Sequence, residues 1–432
     1  MRRFQISTLW ILSLIIGTFN ICPAADSQEL MNAFEQMRAA ALDTASTAAV
    51  DSLLIAHQDM ELLLISGHLA FFQPIEIDST AHVFGAYFVG TGNFRFTPQS
   101  DDPKMKARHH FETDKVELET KRVFFLFSGE IYKKIKAELK WSDSIFTSLQ
   151  NEDAQSSMKR LYKDENNYFI FEALRSLLEP PDRPFLMANV QNYTWSKSHY
   201  YLYNPMSCEE IRLYQNKVRG PNFAQYMIPL CCYSYCSPSA RITGEVALPQ
   251  IAVDHYEIDA AIDYDGRLTA KTTMSVKTLK APAQLIWMNL HEDVQINEII
   301  DETSQPVKYL RYTDENNKSE NLYLFLDRPH EEGAEFKLTF RYEGNLAERS
   351  EHLVDGDMVD DFSVTAGADW YPVYIDRGAA TFAITYRTPK DKDILFESDG
   401  KMVEKYKDKD QIVSIWKVTE PTYNVFFDIR FK

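Results

Sequence analysis

The chain of 432 residues lacks the residue patterns of several common catalytic sites. No two of its ten histidines are four residues apart, which excludes the His-Glu-x-x-His zinc site, because that site needs two imidazoles one helical turn apart. No Gly-x-Ser-x-Gly nucleophile turn is present. Gly90-Thr91-Gly92 is not followed by Gly-Lys-Ser/Thr, so hairpin glycines are a better interpretation than a phosphate loop.

Positive charge is also scarce. The chain has 46 Lys and Arg against 63 Asp and Glu, a net charge of −17. Residues 251–432 hold 22 basic and 35 acidic residues, a net charge of −13 within that range. This excess of negative charge argues against nucleic acid or anionic lipid as a partner.

Residues 1–24 have the pattern of an export signal. Arg2 and Arg3 precede an apolar core at 9–19, and the small residue Ala24 precedes a cleavage point at Ala25. The core is short for a membrane span of about 20 residues, although an uncleaved anchor is the alternative. We therefore expect an exported protein, periplasmic or extracellular, with no membrane association after the signal is cleaved.

Four cysteines follow the signal: Cys208, Cys231, Cys232 and Cys236. An even number of cysteines in an exported chain favours disulfides. A vicinal Cys231–Cys232 bond would be strained, so a link from Cys208 to one of the other three is favoured. A four-thiolate zinc site needs two well-spaced pairs, which this spacing matches poorly.

Two domains are expected after residue 24, because the remaining chain is longer than one core usually organises. Residues 25–236 combine helical and strand patterns, which predicts an α+β domain. The predicted helices lie at 28–46 and 158–178, and the predicted strands at 60–72, 83–96, 116–130 and 185–203. A turn-prone linker follows at 237–250.

Residues 251–432 consist of short runs in which apolar and polar residues alternate, separated by polar turns. This period of two predicts an antiparallel β-sandwich or saddle. The predicted fold of the whole chain is therefore mainly β, with an α+β first half.

Three motifs of the second half support a family resemblance. They are Leu285-Ile286-Trp287-Met288-Asn289-Leu290, then Phe340-Arg341-Tyr342-Glu343-Gly344, then Trp370-Tyr371-Pro372 followed by Thr381-Phe382-Ala383-Ile384-Thr385-Tyr386. In this order they resemble the N-terminal β-domain of the M1 (gluzincin) aminopeptidases, over residues 251–432. The first half resembles the extra domain that precedes the M1 part in some large exported bacterial proteins.

The resemblance implies a zinc-binding catalytic domain in the family, but its signature residues are missing here. His291-Glu292 begins like the zinc motif, yet its fifth position is Gln295. The family's β-domain also lends a Gln or Glu to the substrate amine; residues 363–368 contain neither, and Asp369 is the nearest carboxylate. We expect no catalytic residue, metal or cofactor in this chain, with zinc only if a catalytic domain is supplied elsewhere. Whether the chain contributes to an enzyme stays open.

Weaker candidate sites each have a simpler structural interpretation. Oxygen ligands for calcium are concentrated in one acidic stretch, but without the spacing of an EF-hand loop, so a solvated loop is favoured. The residues of this stretch are Asp355, Asp357, Asp360 and Asp361. His109-His110 is interpreted as a polar turn. The aromatic stretch 193–203 could line a carbohydrate or peptide groove, but packing in a core is favoured.

The leading hypothesis is a non-catalytic, exported lead-in region of an M1 aminopeptidase-like protein, acting in scaffolding or in peptide or protein binding. Its partner would be a peptide or a C-terminal catalytic domain. The first alternative is the N-terminal fragment of an active zinc-dependent M1 aminopeptidase. The second alternative is a carbohydrate-binding or surface-adhesion module.

Cys208 is expected in disulfide linkage with Cys231, Cys232 or Cys236. The closed loop of at least about 23 residues would contribute about 3 kcal/mol by restricting the unfolded chain. Peptide mapping under non-reducing conditions checks this, and four free thiols would contradict it.

Overall fold

The structure is a computed structural model that describes most of the chain after residue 24. The described ranges are 25–98, 104–105, 107–109, 112–142, 146–163, 167–178, 184–192, 198–205, 207, 210–219, 224–233, 249–280, 282–312, 319–345, 348–354, 357–364, 369–376, 378–390 and 394–431.

The described ranges contain 26 strands, four helices with described bounds, and further helical residues at 104–105 and 107–109. The helices are α1 Ser27–Ala39, α2 Glu130–Glu138, α3 Ser148–Lys163 and α4 Asn167–Leu178. The strands of the first half are β1 Leu42–His57, β2 Met60–Phe72, β3 Ile75–Ile77, β4 Thr80–His82, β5 Gly85–Phe96, β6 Val116–Phe127, β7 Trp141–Ser142, β8 Leu186–Gln191, β9 His199–Tyr203, β10 Ile211–Arg219 and β11 Ala224–Tyr233. Those of the second half are β12 Ile251–Ile262, β13 Arg267–Thr278, β14 Ala283–His291, β15 Val294–Asp301, β16 Lys308–Tyr312, β17 Ser319–His330, β18 Glu335–Asn345, β19 Glu348–Val354, β20 Asp357–Val364, β21 Val373–Tyr374, β22 Ala380–Pro389, β23 Ile394–Ser398, β24 Lys401–Asp408, β25 Gln411–Thr422 and β26 Phe427–Phe431.

Nine strands of the first half form one antiparallel sheet in the order β11-β10-β9-β8-β6-β5-β2-β1-β7. Contacts between side chains of distant strands on the inner face show that the sheet curves strongly. Tyr201 on β9 packs against Phe96 on β5 with ring centroids 6.0 Å apart, and its hydroxyl donates a hydrogen bond to the carbonyl of His57 on β1 (3.3 Å). The inner face encloses an apolar core, against which Ile131 and Ile135 of α2 also pack.

Glycines allow close contact between β2 and β5. Gly67, with φ of 152°, lies opposite Gly90, and a Cβ on Gly90 would lie 2.1 Å from the carbonyl oxygen of Ser66. The register also shifts here, between Leu64 and Ser66. The interpretation of Gly90 as a hairpin-turn residue is therefore wrong: the residue lies inside a strand, where only a hydrogen atom fits in place of a side chain.

The predicted helix at 28–46 is confirmed over its first part as α1. The side chain of Asp26 accepts a hydrogen bond from the backbone N–H of Glu29 (2.8 Å), which caps the helix. The apolar positions of α1 are buried. The helix ends at Ala39 and β1 begins at Leu42, where Thr47 and Val50 favour a strand. The predicted helical stretch 158–178 consists of the end of α3 and all of α4.

The second half is a sandwich, as predicted. A seven-stranded sheet, β15-β18-β13-β12-β22-β25-β24, packs through one apolar core against a four-stranded sheet, β16-β17-β14-β21. A second four-stranded sheet has the order β19-β20-β26-β23. All pairs in these sheets are antiparallel except β12 with β22, which is parallel. Strict alternation of exposed and buried residues along β13 explains why the sequence pattern predicted this half correctly.

The two halves have separate sheets but share an apolar core. Phe34 of α1 and Phe171 of α4 lie 5.8 Å and 4.5 Å from the ring of Tyr323 on β17. Tyr168 of α4 stacks on Trp287 of β14 at 5.3 Å. The helices of the first half fill a core whose other wall belongs to the second half. The predicted linker at 237–250 falls mostly outside the described residues, so the domain boundary stays a prediction.

Among the helices of the described ranges, none is long and apolar enough to cross a lipid bilayer.

Replacing Phe34 by alanine tests the shared core. Phe34 is fully buried and contacts aromatic rings from both halves, so the cavity is expected to cost about 3–5 kcal/mol of unfolding free energy. Denaturant unfolding of the whole chain measures this. Met402→Ala on β24, where the side chain is exposed, is the control and should cost less than about 0.5 kcal/mol. A Phe34→Ala cost below about 1 kcal/mol would contradict the shared core.

Half-buried His57 and buried His199 predict an acid-sensitive fold. Burial lowers the pKa of His57 and of His199 to about 4, whereas both are near 6.5 in the unfolded chain. The unfolded chain therefore binds more protons between these values. Stability is fully present above about pH 6.5 and falls as the pH drops toward 4, by up to about 3 kcal/mol for each histidine.

Denaturant unfolding between pH 7 and pH 4.5 checks this expectation. His57→Phe keeps a ring beside Tyr203, 4.7 Å away in the native protein, and should reduce the pH dependence of stability. Val403→Phe, which introduces the same ring at an exposed position and removes no titratable group, is the control and should leave the pH dependence unchanged. Equal pH dependence in native protein and His57→Phe would contradict the assignment.

Candidate functional site

An open groove crosses the outer face of the nine-stranded sheet, opposite its apolar inner core. The groove has a volume of about 590 Å³ and lies across β1, β2, β5 and β6. It is lined by Leu54, Glu61, Leu63, Asn93, Phe94, Arg95, Glu117, Leu118 and Glu119. This volume is in the range of small-molecule and peptide side-chain sites, about 300–1,000 Å³.

Strand alternation places these side chains on the outer face. On β2, Leu62 and Leu64 are buried in the inner core, so Glu61 and Leu63 point outward. On β6, Glu117 and Glu119 are the exposed residues on either side of Leu118. The same alternation that builds the core therefore also builds the groove.

The strand register arranges the lining in two rows across the sheet. The first row is Glu61, Arg95 and Glu117 on β2, β5 and β6. The second row is Leu54, Leu63, Asn93 and Glu119 on β1, β2, β5 and β6. Positions two apart on a strand are about 7 Å apart. An apolar pair at one end of the second row thus lies beside a charged row.

The charged row is exposed and carries an excess of carboxylates. Arg95 forms an ion pair with Glu61, and Lys115 donates a hydrogen bond to Glu117 at 2.7 Å. The hydrogen bond from Lys115 lowers the pKa of Glu117 below its usual value, so this group is ionised at neutral pH. Exposed ion pairs stabilise a fold by less than about 1 kcal/mol. These side chains can therefore exchange partners with a ligand at little cost to stability.

A second cavity continues the groove along β5 and β6. It has a volume of about 470 Å³ and is lined by Ser66, Gly67, Val89, Gly90, Thr91, Lys121, Arg122 and Asn192. Thr91 and Lys121 are each two residues from a member of the second row, Asn93 and Glu119, so the two cavities adjoin. Lys121 donates a hydrogen bond to Thr91 at 3.3 Å. The groove thus has an acidic end and a basic end.

A hydrogen-bonded group fixes the basic end. Arg122 pairs with Asp153 of α3 at 2.9 Å, and the hydroxyl of Tyr87 donates to the same carboxylate at 2.6 Å. Burial and the bond to Asp153 raise the pKa of Tyr87 far above its usual value, so it remains a donor. Arg122 is therefore held in place by Asp153, and Lys121 is the second cation that lines this cavity.

The cysteine and calcium predictions fall on residues of which little is described. Cys231 and Cys232 lie in β11, but their side chains, and all of Cys208 and Cys236, lie outside the described part of the chain. Three of the acidic residues, Asp357, Asp360 and Asp361, belong to strand β20, which pairs with β19. The interpretation of this stretch as a loop is therefore wrong at these three positions, whereas the disulfide and calcium predictions stay predictions, because the side chains and residue Asp355 are not described.

His291 and His330 are each followed by a Glu, as in the zinc motif, but both pack against other parts of the fold. His291 is 7% exposed at the end of β14, where its ring accepts a hydrogen bond from the backbone N–H of Asp293 at 3.2 Å. His330 stacks on Phe336 with ring centroids 3.9 Å apart. Nowhere in the described ranges are three or more His, Cys, Asp or Glu side chains grouped so that they could hold a metal ion.

Other candidates of the sequence are also buried. Asp369 is 3% exposed, and its carbonyl accepts a hydrogen bond from the backbone N–H of His291 at 3.0 Å. Tyr200, Tyr201 and Tyr203 of the aromatic stretch are at most 1% exposed, which confirms that they pack in a core. Tyr193 and Trp195 lie outside the described residues.

The groove was not predicted from the sequence. The pattern that could have indicated it is the alternation Glu117-Leu118-Glu119, together with Glu61 and Arg95, whose opposite charges fit neighbouring strands. Only the register shows that these residues form rows across the sheet.

Comparisons with known proteins give distant structural likenesses alone. No family model matches the chain, and no curated protein matches it. A solved M1 zinc metallopeptidase from Deinococcus radiodurans is 15% identical with a TM-score of 0.34, over 42% of this chain and 42% of that one. A mutant two-domain M1 zinc metallopeptidase bound to L-arginine gives the same identity and TM-score, over 43% of this chain and 44% of that one. The chain thus matches less than half the length of these structures, and such a likeness does not establish membership of their family.

The purified chain is expected to bind no stoichiometric zinc and to release no amino acid from aminoacyl-nitroanilides, because the sequence has no His-Glu-x-x-His. Metal analysis after dialysis and a spectrophotometric assay measure these two properties. Chelator-sensitive turnover by this chain alone would contradict the expectation.

Proposed function

We propose that the chain is a non-catalytic, exported lead-in region of an M1 aminopeptidase-like protein that binds an extended peptide on its outer sheet face. The groove of the first half is the observation that carries the peptide-binding part. It combines an apolar pair, Leu54 and Leu63, with the charged row of Glu61, Arg95 and Glu117. The order of the M1-like motifs in residues 251–432 supports the lead-in part.

The groove favours a basic peptide. Three carboxylates, on Glu61, Glu117 and Glu119, line it together with one guanidinium, on Arg95. Alternate side chains of an extended peptide are about 7 Å apart, which is the spacing of the two rows. A Lys or Arg side chain would meet Glu119 in the second row while its neighbour two positions along meets Glu117 in the first row. The peptide carboxylate would then point toward Lys121 at the basic end.

A carbohydrate ligand is the weaker candidate. Sugars are commonly bound by stacking on exposed aromatic rings, and the aromatic side chain that lines this groove, Phe94, is 1% exposed. The alternative of a catalytic fragment is independent of the groove. Reading the coding sequence beyond residue 432 for His-Glu-x-x-His distinguishes that alternative from a lead-in region that works without a zinc domain.

Fluorescence anisotropy with three labelled peptides of equal length tests the groove: one basic, one neutral and one acidic. We expect the basic peptide to bind most tightly. Glu119→Gln should weaken its binding about tenfold, because a charge-assisted hydrogen bond contributes about 1.4 kcal/mol. Leu54→Asp removes an apolar contact and should weaken binding of the neutral peptide, while its added carboxylate offsets part of this loss for the basic peptide.

Matched controls lie on β24, whose residues are all exposed. Glu404→Gln makes the same chemical change as Glu119→Gln, and Val403→Asp introduces the same charge as Leu54→Asp. Both should leave affinity unchanged. Equal affinities in groove and control variants, or binding to a glycan array without binding to any peptide, would contradict the proposal.

A further inference from the structure

Ala25, just before helix α1, is held by hydrogen bonds at both its backbone nitrogen and its carbonyl oxygen. Ala25 is 2% exposed. Its backbone nitrogen donates a hydrogen bond to the carboxylate of Asp78 at 3.1 Å, and its carbonyl accepts one from the side-chain amide of Gln284 at 2.6 Å. A residue directly after a cleavage point would ordinarily fray in solvent. The burial of this one therefore calls for a specific reason.

The two partners of Ala25 come from different halves of the chain. Asp78 lies in the turn between β3 and β4, where Asp78 and Ser79 have φ of 50° and 58°. Positive φ at both central residues is typical of a two-residue hairpin turn. The backbone N–H of Asp78 also donates to Glu29 of α1 at 2.8 Å, which holds the turn against the helix.

Gln284 provides the contact on the other side. Its amide also donates to the carbonyl of Leu326 on β17 at 3.2 Å. Ser27 of α1 donates a hydrogen bond to the carboxylate of Asp327 on the same strand. The start of α1 is thus bound to the β3–β4 hairpin and to the sandwich of the second half.

The charges around Ala25 suit an ammonium group. Four carboxylates lie in this region, on Asp26, Glu29, Asp78 and Asp327. A positive charge at a helix N-terminus is unfavourable unless carboxylates offset it. His82, which pairs with Ile75 on the same hairpin, adds no competing cation at neutral pH, because burial lowers its pKa below the usual value.

We propose that Ala25 is the first residue of the mature protein and that its α-ammonium group forms an ion pair with Asp78, which fastens α1 between the two halves. A signal-removing peptidase would hydrolyse the bond between Ala24 and Ala25. The carbonyl carbon of Ala24 takes the oxygen of water and becomes a carboxylate, and the nitrogen of Ala25 takes both protons of that water and becomes an ammonium at neutral pH.

Cleavage must precede docking of the segment. Ala25 is 2% exposed and its nitrogen is bonded to Asp78, so a peptidase would reach this residue only in a chain that has not yet docked it. The peptidase would therefore act on the chain before it folds, and folding would then bury the new terminus. This inference uses the proposed export signal but not the peptide groove, so a loss of peptide binding leaves it intact.

Two preparations of the chain test the ion pair. One is exported with residues 1–24 attached, and the other begins with a retained Gly-Ser extension before Ala25. N-terminal sequencing and intact mass of the exported form should give Ala25 as the first residue. The exported form should melt about 1–3 °C above the extended form, a shift expected for one partly exposed ion pair. Amide hydrogen exchange in α1 should be about fivefold slower in the exported form.

Substitution at Asp78 separates the ion pair from other effects. Asp78→Asn should lower the melting temperature of the exported form to that of the extended form, and should change the extended form much less. Glu76→Gln, at an exposed position on the same hairpin, is the matched control and should change neither. A first residue other than Ala25, or an equal loss in both forms with Asp78→Asn, would overturn the proposal.

Discussion

The aromatic cluster around Tyr323 is the contact on which both halves of the chain depend. Its ring is fully buried between Phe34 of α1 and Phe171 of α4, with Phe325 beside them on the same strand. Aromatic side chains each bury a large apolar area and orient their neighbours. Without this cluster, α1 and α4 would cover the nine-stranded sheet, but the aromatic side chains of β14 and β17 that face these helices would be exposed. The curved sheet and the sandwich are therefore held together by side-chain packing and not by a common sheet.

A polar network runs along the same boundary. Glu172 and Arg175 of α4 pair at 2.5 Å, Asn204 donates to Glu172 at 2.7 Å, and Arg175 donates to Gln250 at 3.1 Å. Burial raises the pKa of Glu172 above its usual value even beside Arg175. Buried pairs add little net stability, but removal of one partner leaves a buried charge at a cost of about 3–5 kcal/mol. The network therefore specifies how α4 meets the second half more than it stabilises the fold.

The sequence predicts elements better than contacts between them. Alternation along β13 and the spacing of Leu30, Phe34 and Met37 each report a local period, so the sandwich and helix α1 could be predicted. The groove could not, because the row of Glu61, Arg95 and Glu117 exists only through strand register. Gly90 was misjudged for the same reason: its constraint is the backbone of β2, which no local pattern reports.

The outer face of the nine-stranded sheet has two parts: Phe72, Tyr87 and Phe124 pack in the core shared with α1 and α4, and the groove lies further along the same strands. Leu62 and Leu64 of β2 fill the inner core, while Glu61 and Leu63, on the same strand, face the groove. Exposed ion pairs such as Glu61 with Arg95 contribute little to folding, so the outer residues can serve a ligand without weakening the core. The strands beneath are held in register by that core, and a ligand would meet side chains that are already positioned. Because such a site loses little conformational entropy on binding, strands fixed in this way would favour the proposed binding of an extended peptide on this face.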